Sequence, residues 1–133
     1  MTKLAFVCVG NAGRSQMATA FAERERDRRG LDIEIITGGV DPADSVHEEV
    51  IEAMQEVGID ISDRTTREIT PEDIEDVDHV VTMGCSVEQF RPDDWSGDST
   101  IWELSSSETR DQRDELNRRV KQFFDDLQQR DQV

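Results

Sequence analysis

The chain has 133 residues, enough for one domain with a hydrophobic core and too few for two, so a single domain is expected across residues 1–133. Fifteen Lys and Arg stand against 31 Asp and Glu, a formal net charge of −16, which makes a polyanionic nucleic acid a poor partner. Hydrophobic residues supply 35% of the chain and recur at regular spacing, so the charge reads as the solvated surface of a folded protein rather than as disorder.

Leu4 to Val9 is a continuous apolar run rich in β-formers, as expected of a strand covered on both faces in a parallel sheet. It ends at Gly10. After Gly10-Asn11-Ala12-Gly13, the segment from Arg14 to Arg29 carries Met17, Ala20, Phe21 and Arg24 at helical spacing, with Gly30 placed to terminate it. A short strand is predicted over Ile33 to Thr37. Gly38, Gly39, Asp41 and Pro42 read as turn residues leading to a second helix, in which Val46, Val50, Met54 and Val57 share one face and Gly58 is the stop. His79 to Met83 is read as a third strand and Ser99 to Glu103 as a fourth, with a polar loop between them. The segment from Glu108 to Leu127 places Leu116, Val120, Phe123, Phe124 and Leu127 on one helical stripe. Strands alternating with helices predict an α/β sandwich around a mostly parallel sheet, whose ligands bind at the carboxyl ends of the strands.

The chemistry is concentrated where the first strand meets the first helix, over Cys8-Val9-Gly10-Asn11-Ala12-Gly13-Arg14-Ser15. Backbone N–H groups in such a loop converge on the positive end of the helix dipole and bind oxyanions. Gly10 and Gly13 are expected to supply positive φ angles, which Asn11 also tolerates while its amide braces the loop. Arg14 would close the cradle with two parallel N–H bonds. A cysteine beside a helix N-terminus and an arginine is the residue type that serves as a thiolate nucleophile, which makes Cys8 the candidate, with the Ser15 hydroxyl placed to bond its sulfur. The alternative is that Cys8 is a small buried hydrophobe at a strand end.

At these residues the chain resembles the low-molecular-weight protein tyrosine phosphatases and the arsenate reductases that share their fold. Cys8 to Ala18 is similar to the signature loop and the start of its helix, with Arg14-Ser15-Gln16-Met17-Ala18 closer to the reductase branch. Val46 to Ser62 resembles the segment after the second strand, and Val80 to Cys85 resembles reductases that recycle with a small thiol. The resemblance implies a three-layer sandwich on a four-stranded parallel sheet. It also implies that Cys8 attacks phosphate or arsenate to form a covalent intermediate, with Val9, Gly10, Asn11, Ala12, Gly13 and Arg14 around the oxyanion. The phosphatases' general acid is an Asp in an Asp-Pro pair. Here the segment after Trp102 reads Ser105-Ser106-Ser107, the matching position falls near Ser106, and a serine is a poor acid. Glu103, Glu108 and Asp98 are the nearby substitutes.

Cys85 is the other thiol, read either as the resolving group that attacks the Cys8 adduct or as a buried strand-end cysteine. No third cysteine is present, so a small thiol or a redoxin outside the chain would complete a reductive cycle, and no bound cofactor is expected. His47 and His79 lack metal-ligand spacing and are read as surface or helix-start residues, so no metal is assigned. The chain has no tyrosine, and the aromatic walls of a phosphotyrosine pocket would fall to Trp95, Trp102 or a phenylalanine. Three functions follow: an arsenate reductase, a phosphatase, and a non-catalytic oxyanion sensor.

Lys3 and Lys121 are the only lysines, and acids crowd runs such as 71–76, a pattern that resembles the acidic surfaces of haloarchaeal proteins. Such like charges repel one another, and salt screens the repulsion. The melting temperature is therefore expected to rise between dilute buffer and molar KCl; melts that coincide in the two solutions would overturn this reading. With no signal segment and no dense cysteine framework in view, a reducing cytoplasm and no membrane contact are expected.

Overall fold

A computed structural model describes residues 2 to 130. Four strands form one sheet in the order β2-β1-β3-β4, every pairing parallel: β1 (Thr2–Cys8), β2 (Ile33–Gly39), β3 (His79–Met83) and β4 (Asp98–Ile101). The helices are α1 (Arg14–Arg29), α2 (Glu48–Gln55), α3 (Pro71–Ile74) and α4 (Thr109–Gln129), with a 3₁₀ turn at Val87–Gln89. This is the expected α/β sandwich on a four-stranded parallel sheet.

The central strand explains its own sequence. Side chains alternate between faces along a strand. Leu4, Phe6 and Cys8 enter a cluster with Met17 and Phe21 of α1 and Leu116, Val120 and Phe124 of α4. Ala5 and Val7 face the other way, onto Ile69, Ile74, Val77, Phe90 and Trp95. With both faces covered, no position can be polar, and an unbroken apolar run results. Between the strand and α4, α1 is buried on most of its surface, from Ser15 through Ala22. It ends at Gly30, whose φ of 63° is the left-handed cap.

Several boundaries differ from expectation. Gly38 and Gly39 are not turn residues: they are the last two positions of β2, paired with Val7 and Cys8. A side chain on either would meet backbone within 3.1 Å, that of Ile69 at Gly38 and that of Val9 and Asn11 at Gly39. β4 is shifted to Asp98–Ile101, and Trp102 leaves the strand to pack on Phe6 and Phe123 at ring-centroid distances of 5.9 and 6.0 Å. The acidic run at 71–76 contains α3, started by a reciprocal cap in which Thr70 Oγ1 accepts from the Asp73 N–H and the Asp73 carboxylate accepts from Thr70 N–H. Its Ile74 is buried. Trp95, 6% exposed, donates its indole N–H to Val77 O and stacks inside the second cluster.

His79 is a buried strand residue, not a surface one. Its Nε2 lies 2.8 Å from Thr100 Oγ1, and its ring meets the edge of Phe123 at 4.9 Å. Burial pushes its pKa below the usual histidine value, with Arg130 adding to the effect and Asp98 opposing it. The native state thus refuses a proton that the unfolded chain accepts below about pH 6.5. Stability is expected to fall as pH drops through that value, and His79→Gln should flatten the decline. Denaturant midpoints at neutral and mildly acidic pH measure it; parallel declines in both proteins would rule His79 out as the cause.

Candidate active site

β1 delivers Cys8 to the carboxyl edge of the sheet, and the chain then circles back over residues 9–13 into α1. The loop's carbonyls face outward. Those of Cys8, Val9, Gly10 and Ala12 accept from the N–H groups of Val40, Asp41, Ala43 and His47 at 2.9–3.2 Å, and that of Asn11 accepts from Gln16 Nε2 at 3.0 Å. Peptide planes pinned by their carbonyls turn their N–H groups to the inside. Those of Gly10, Ala12, Gly13, Arg14 and Ser15 find no acceptor among the described residues. The first turn of α1 carries no acidic side chain to neutralise them. The result is a ring of donors at a helix N-terminus, a ready anion site.

Asn11 is the keystone. It is fully buried and is the one non-glycine residue with positive φ among those described, at 52°. Arg67 N–H donates to its Oδ1 at 3.0 Å, which fixes the amide orientation. Nδ2 then donates to Ser15 Oγ at 2.8 Å and Thr37 Oγ1 at 2.9 Å. Ser15 Oγ, which accepts from Asn11, lies 2.9 Å from the Cys8 sulfur; either group can donate when the cysteine is a thiol, and toward a thiolate the hydroxyl is the donor. Asn11 N–H reaches the same sulfur at 3.3 Å. The sulfur thus faces two donors. Gly10 and Gly13 do not adopt the positive φ expected of them: Gly13 has φ −141°, and Asn11 alone makes the left-handed turn of the loop.

A hollow of about 160 Å³ opens over this loop, lined by Cys8, Gly10, Ala12, Gly13, Arg14, His47, Val50, Thr109 and Gln112. Two walls come from α2 and α4, and these are tied together. Arg113 donates to Ala53 O and, with Arg110, to Glu56, holding that carboxyl at about 2. Glu115 is likewise held at about 2 by the backbone and hydroxyl of Ser105 together with Arg119. A larger hollow, of about 450 Å³, lies between Asp76, Asp98 and Trp95 at the opposite edge of the sheet and is lined by no cysteine.

None of the candidate acids lines the hollow over Cys8. Asp98 begins β4 at the far edge, and Glu103 follows Trp102 outside the lining. Glu108 precedes α4, its N–H capped by Ser106 Oγ. Ser106 itself donates to Asp111 at 3.1 Å. Trp95 and Trp102 are core residues, so neither forms an aromatic wall. Cys85 is half-buried, its Sγ 3.8 Å from Val7 O. It packs with the cluster on the face opposite Cys8. Burial pushes its thiol pKa up and Cys8 adds to this, so it is held protonated. Thr37, Gln16 and Arg67 were not foreseen as site residues; Thr37 and Arg67 brace the loop from segments remote in sequence, and Gln16 does so from the first turn of α1. Among the described residues no group of three or more His, Cys, Asp and Glu is placed to hold a metal, and no helix is long and apolar enough to cross a membrane.

Residues 3–133 match the model of the low molecular weight phosphotyrosine protein phosphatase family. The chain belongs to that family. Members of that family are cysteine-based enzymes. A Halobacterium salinarum relative described as a "Putative arsenate reductase" is 49% identical over 95% of this chain and 93% of its own length. Arsenate reductase 2 of Staphylococcus saprophyticus is 33% identical over 90% of this chain and 94% of its own. Among solved structures, the thioredoxin-dependent arsenate reductase Cg_ArsC1' of Corynebacterium glutamicum superposes on 96% of the chain with a TM-score of 0.82 and 30% identity; the match spans 62% of that longer protein. An arsenate reductase in its phosphate-binding state superposes with a TM-score of 0.77 and 31% identity, covering 96% of this chain and 99% of that one.

Proposed function

We propose that the protein reduces arsenate, with Cys8 as nucleophile, Arg14 and the loop amides as the oxyanion cradle and Ser15 as the hydrogen-bond donor to the sulfur. The observation that carries this reading is the absence of any carboxylate from the lining of the hollow. A phosphate monoester expels an alkoxide or phenoxide, which needs a proton from a positioned acid, and lack of that acid costs about 10²- to 10⁴-fold. Hydrogen arsenate expels one of its own hydroxyls, and the oxyanion brings a proton with it. The lining offers the first substrate no carboxylic acid, with His47 the one other ionisable side chain beside Cys8 and Arg14, whereas the second substrate needs no such acid.

In the first step the Cys8 sulfur forms a bond to arsenic while one arsenic–oxygen bond breaks, its oxygen leaving as water after taking up a proton. A second thiol then attacks Cys8 Sγ. A sulfur–sulfur bond forms, the electron pair of the sulfur–arsenic bond passes to arsenic, and As(V) departs as As(III) in arsenite. A further thiol reduces the mixed disulfide and restores Cys8. The geometry favours a thiol from outside the chain, a small cytoplasmic thiol or a redoxin, because Cys85 is protonated and packs on the other face of the sheet.

The test runs in concentrated KCl, with arsenate-dependent thiol oxidation and aryl phosphate hydrolysis measured in parallel on the wild type and Cys85→Ser. Reduction that exceeds hydrolysis and survives Cys85→Ser is the expected result. Reduction lost with Cys85→Ser would make Cys85 the resolving thiol. Brisk hydrolysis without reduction would make the protein a phosphatase, and neither activity would leave an oxyanion sensor.

A further inference from the structure

Arg14 is the one arginine or lysine in the lining of the hollow, yet nothing polar among the described residues holds it. Among the described residues no carboxylate pairs with its guanidinium and no side chain or carbonyl accepts from it, in contrast to Arg67, Arg110, Arg113 and Arg119, each fixed by an ion pair. What touches it is Gly84, the residue just after β3. Gly84 has φ +77°, and a Cβ built on it would fall 2.6 Å from Arg14 Nη1, 2.8 Å from Nη2 and 3.0 Å from Cζ. Three guanidinium atoms crowd the space that a side chain on Gly84 would fill, so the end of Arg14 lies beside the bare Cα of the turn.

We infer that Gly84 is a positioning residue for oxyanion binding: its missing side chain leaves a flat seat that fixes the Arg14 guanidinium without using any of its hydrogen-bond donors. The physical logic is one of competition. A carboxylate that held the arginine would consume donors and neutralise the charge the oxyanion needs. A backbone seat restrains the group sterically and leaves its fork intact for the ligand. Glycine suits the position twice over: its φ is one that other residues rarely adopt, and any Cβ would push the end of the Arg14 side chain aside. Gly58 supplies the internal comparison, since its φ of +82° is nearly the same and nothing lies within 4 Å of its Cβ position. Replacing Gly58 imposes the backbone strain alone. Replacing Gly84 imposes the same strain and also unseats Arg14.

The inference rests on the proposed role of Arg14 in binding the oxyanion, so the experiment reads the seat separately from the activity. Gly84→Ala and Gly58→Ala are compared for thermal stability, for affinity toward inorganic phosphate and for the Nε–Hε resonance of Arg14. Both variants are expected to melt lower. Only Gly84→Ala should shift the Arg14 resonance and lose activity, by about 10²-fold in kcat/KM. Phosphate affinity should fall by about tenfold or more, and that loss should shrink to under about twofold when Gly84→Ala is added to Arg14→Ala, as expected when one change acts through the other. If Gly84→Ala folds poorly, Gly84→Asn carries the same test, because Asn accepts positive φ while still presenting a Cβ. An Arg14 resonance that ignores Gly84→Ala, or a phosphate-affinity loss undiminished in the Arg14→Ala background, overturns the seat. A shifted resonance with unchanged phosphate affinity and turnover leaves the seat standing and overturns the role of Arg14 in binding.

Discussion

Replacement of Cys8 by serine is expected to abolish arsenate reduction, and any aryl phosphate hydrolysis, by about 10⁴- to 10⁶-fold, the scale seen when a covalent nucleophile is removed. The fold should persist. Cys8 is 2% exposed, and its sulfur meets the Ser15 hydroxyl and the Asn11 N–H; a serine oxygen accepts from the same two donors with a small loss of volume. Phosphate should still bind, because the free amides of the loop and the Arg14 guanidinium do not depend on sulfur. Calorimetric titration with phosphate beside the turnover assay separates the two roles. Turnover that survives Cys8→Ser removes Cys8 as nucleophile, and loss of phosphate binding along with turnover would mean that the substitution had collapsed the loop.

The position of this site was legible in the chain because its determinants are local. Cys8, Asn11, Arg14 and Ser15 fall within one strand–loop–helix unit, and an apolar run that ends in a glycine-containing loop before a helix places donors at a helix N-terminus whatever the rest of the fold does. The third strand was read with its correct ends for a similar reason, since His79 to Met83 is buried on both faces and has no polar face to blur the pattern. β4 was read one residue late at its start and two too far at its end, because Trp102 is apolar yet belongs to the α1–α4 side of the core rather than to the ladder. Gly38 and Gly39 misled for an opposite reason. Their bareness serves the close approach of Ile69 and of the loop backbone from segments about 30 residues away, and sequence pattern alone reads two glycines as a turn.

The bracing of the site was illegible for a deeper reason. Thr37 and Arg67 reach the loop through single hydrogen bonds with Asn11 from segments separated by 26 and 56 residues, and a lone threonine or a backbone N–H has no spacing to betray it. The same holds for Gly84, whose role is visible only once the guanidinium is seen lying on it. The acid was anticipated as missing near Ser106. What the sequence could not rule out was a replacement from Glu103, Glu108 or Asp98; that required the lining of the hollow.

Asn11→Asp should be the most damaging change of a single atom type in the protein. The carboxylate keeps the acceptor that Arg67 N–H uses, but the two donations to Ser15 and Thr37 vanish. Ser15 has one proton. In the native network the hydroxyl accepts from the Asn11 amide and is free to donate to a Cys8 thiolate; facing a carboxylate, the hydroxyl turns to donate there, and the thiolate loses its side-chain donor. Thr37 faces the same choice between the carboxylate and Phe6 O, to which it donates at 2.8 Å. A hydrogen bond to a charged group contributes about 1.5–3 kcal/mol, and each 1.4 kcal/mol is tenfold in rate, so turnover should drop about 10- to 100-fold. Stability should fall by about 3 kcal/mol or more, since the new charge is fully buried without a cation. Iodoacetamide alkylation of Cys8 reads the donor directly and is expected to slow in Asn11→Asp while staying near the native rate in Thr37→Val, which leaves the amide's bond to Ser15 in place. Equal alkylation in all three proteins would mean that the sulfur does not depend on the direction of the Ser15 proton, and the network would then be a scaffold for the backbone ring alone.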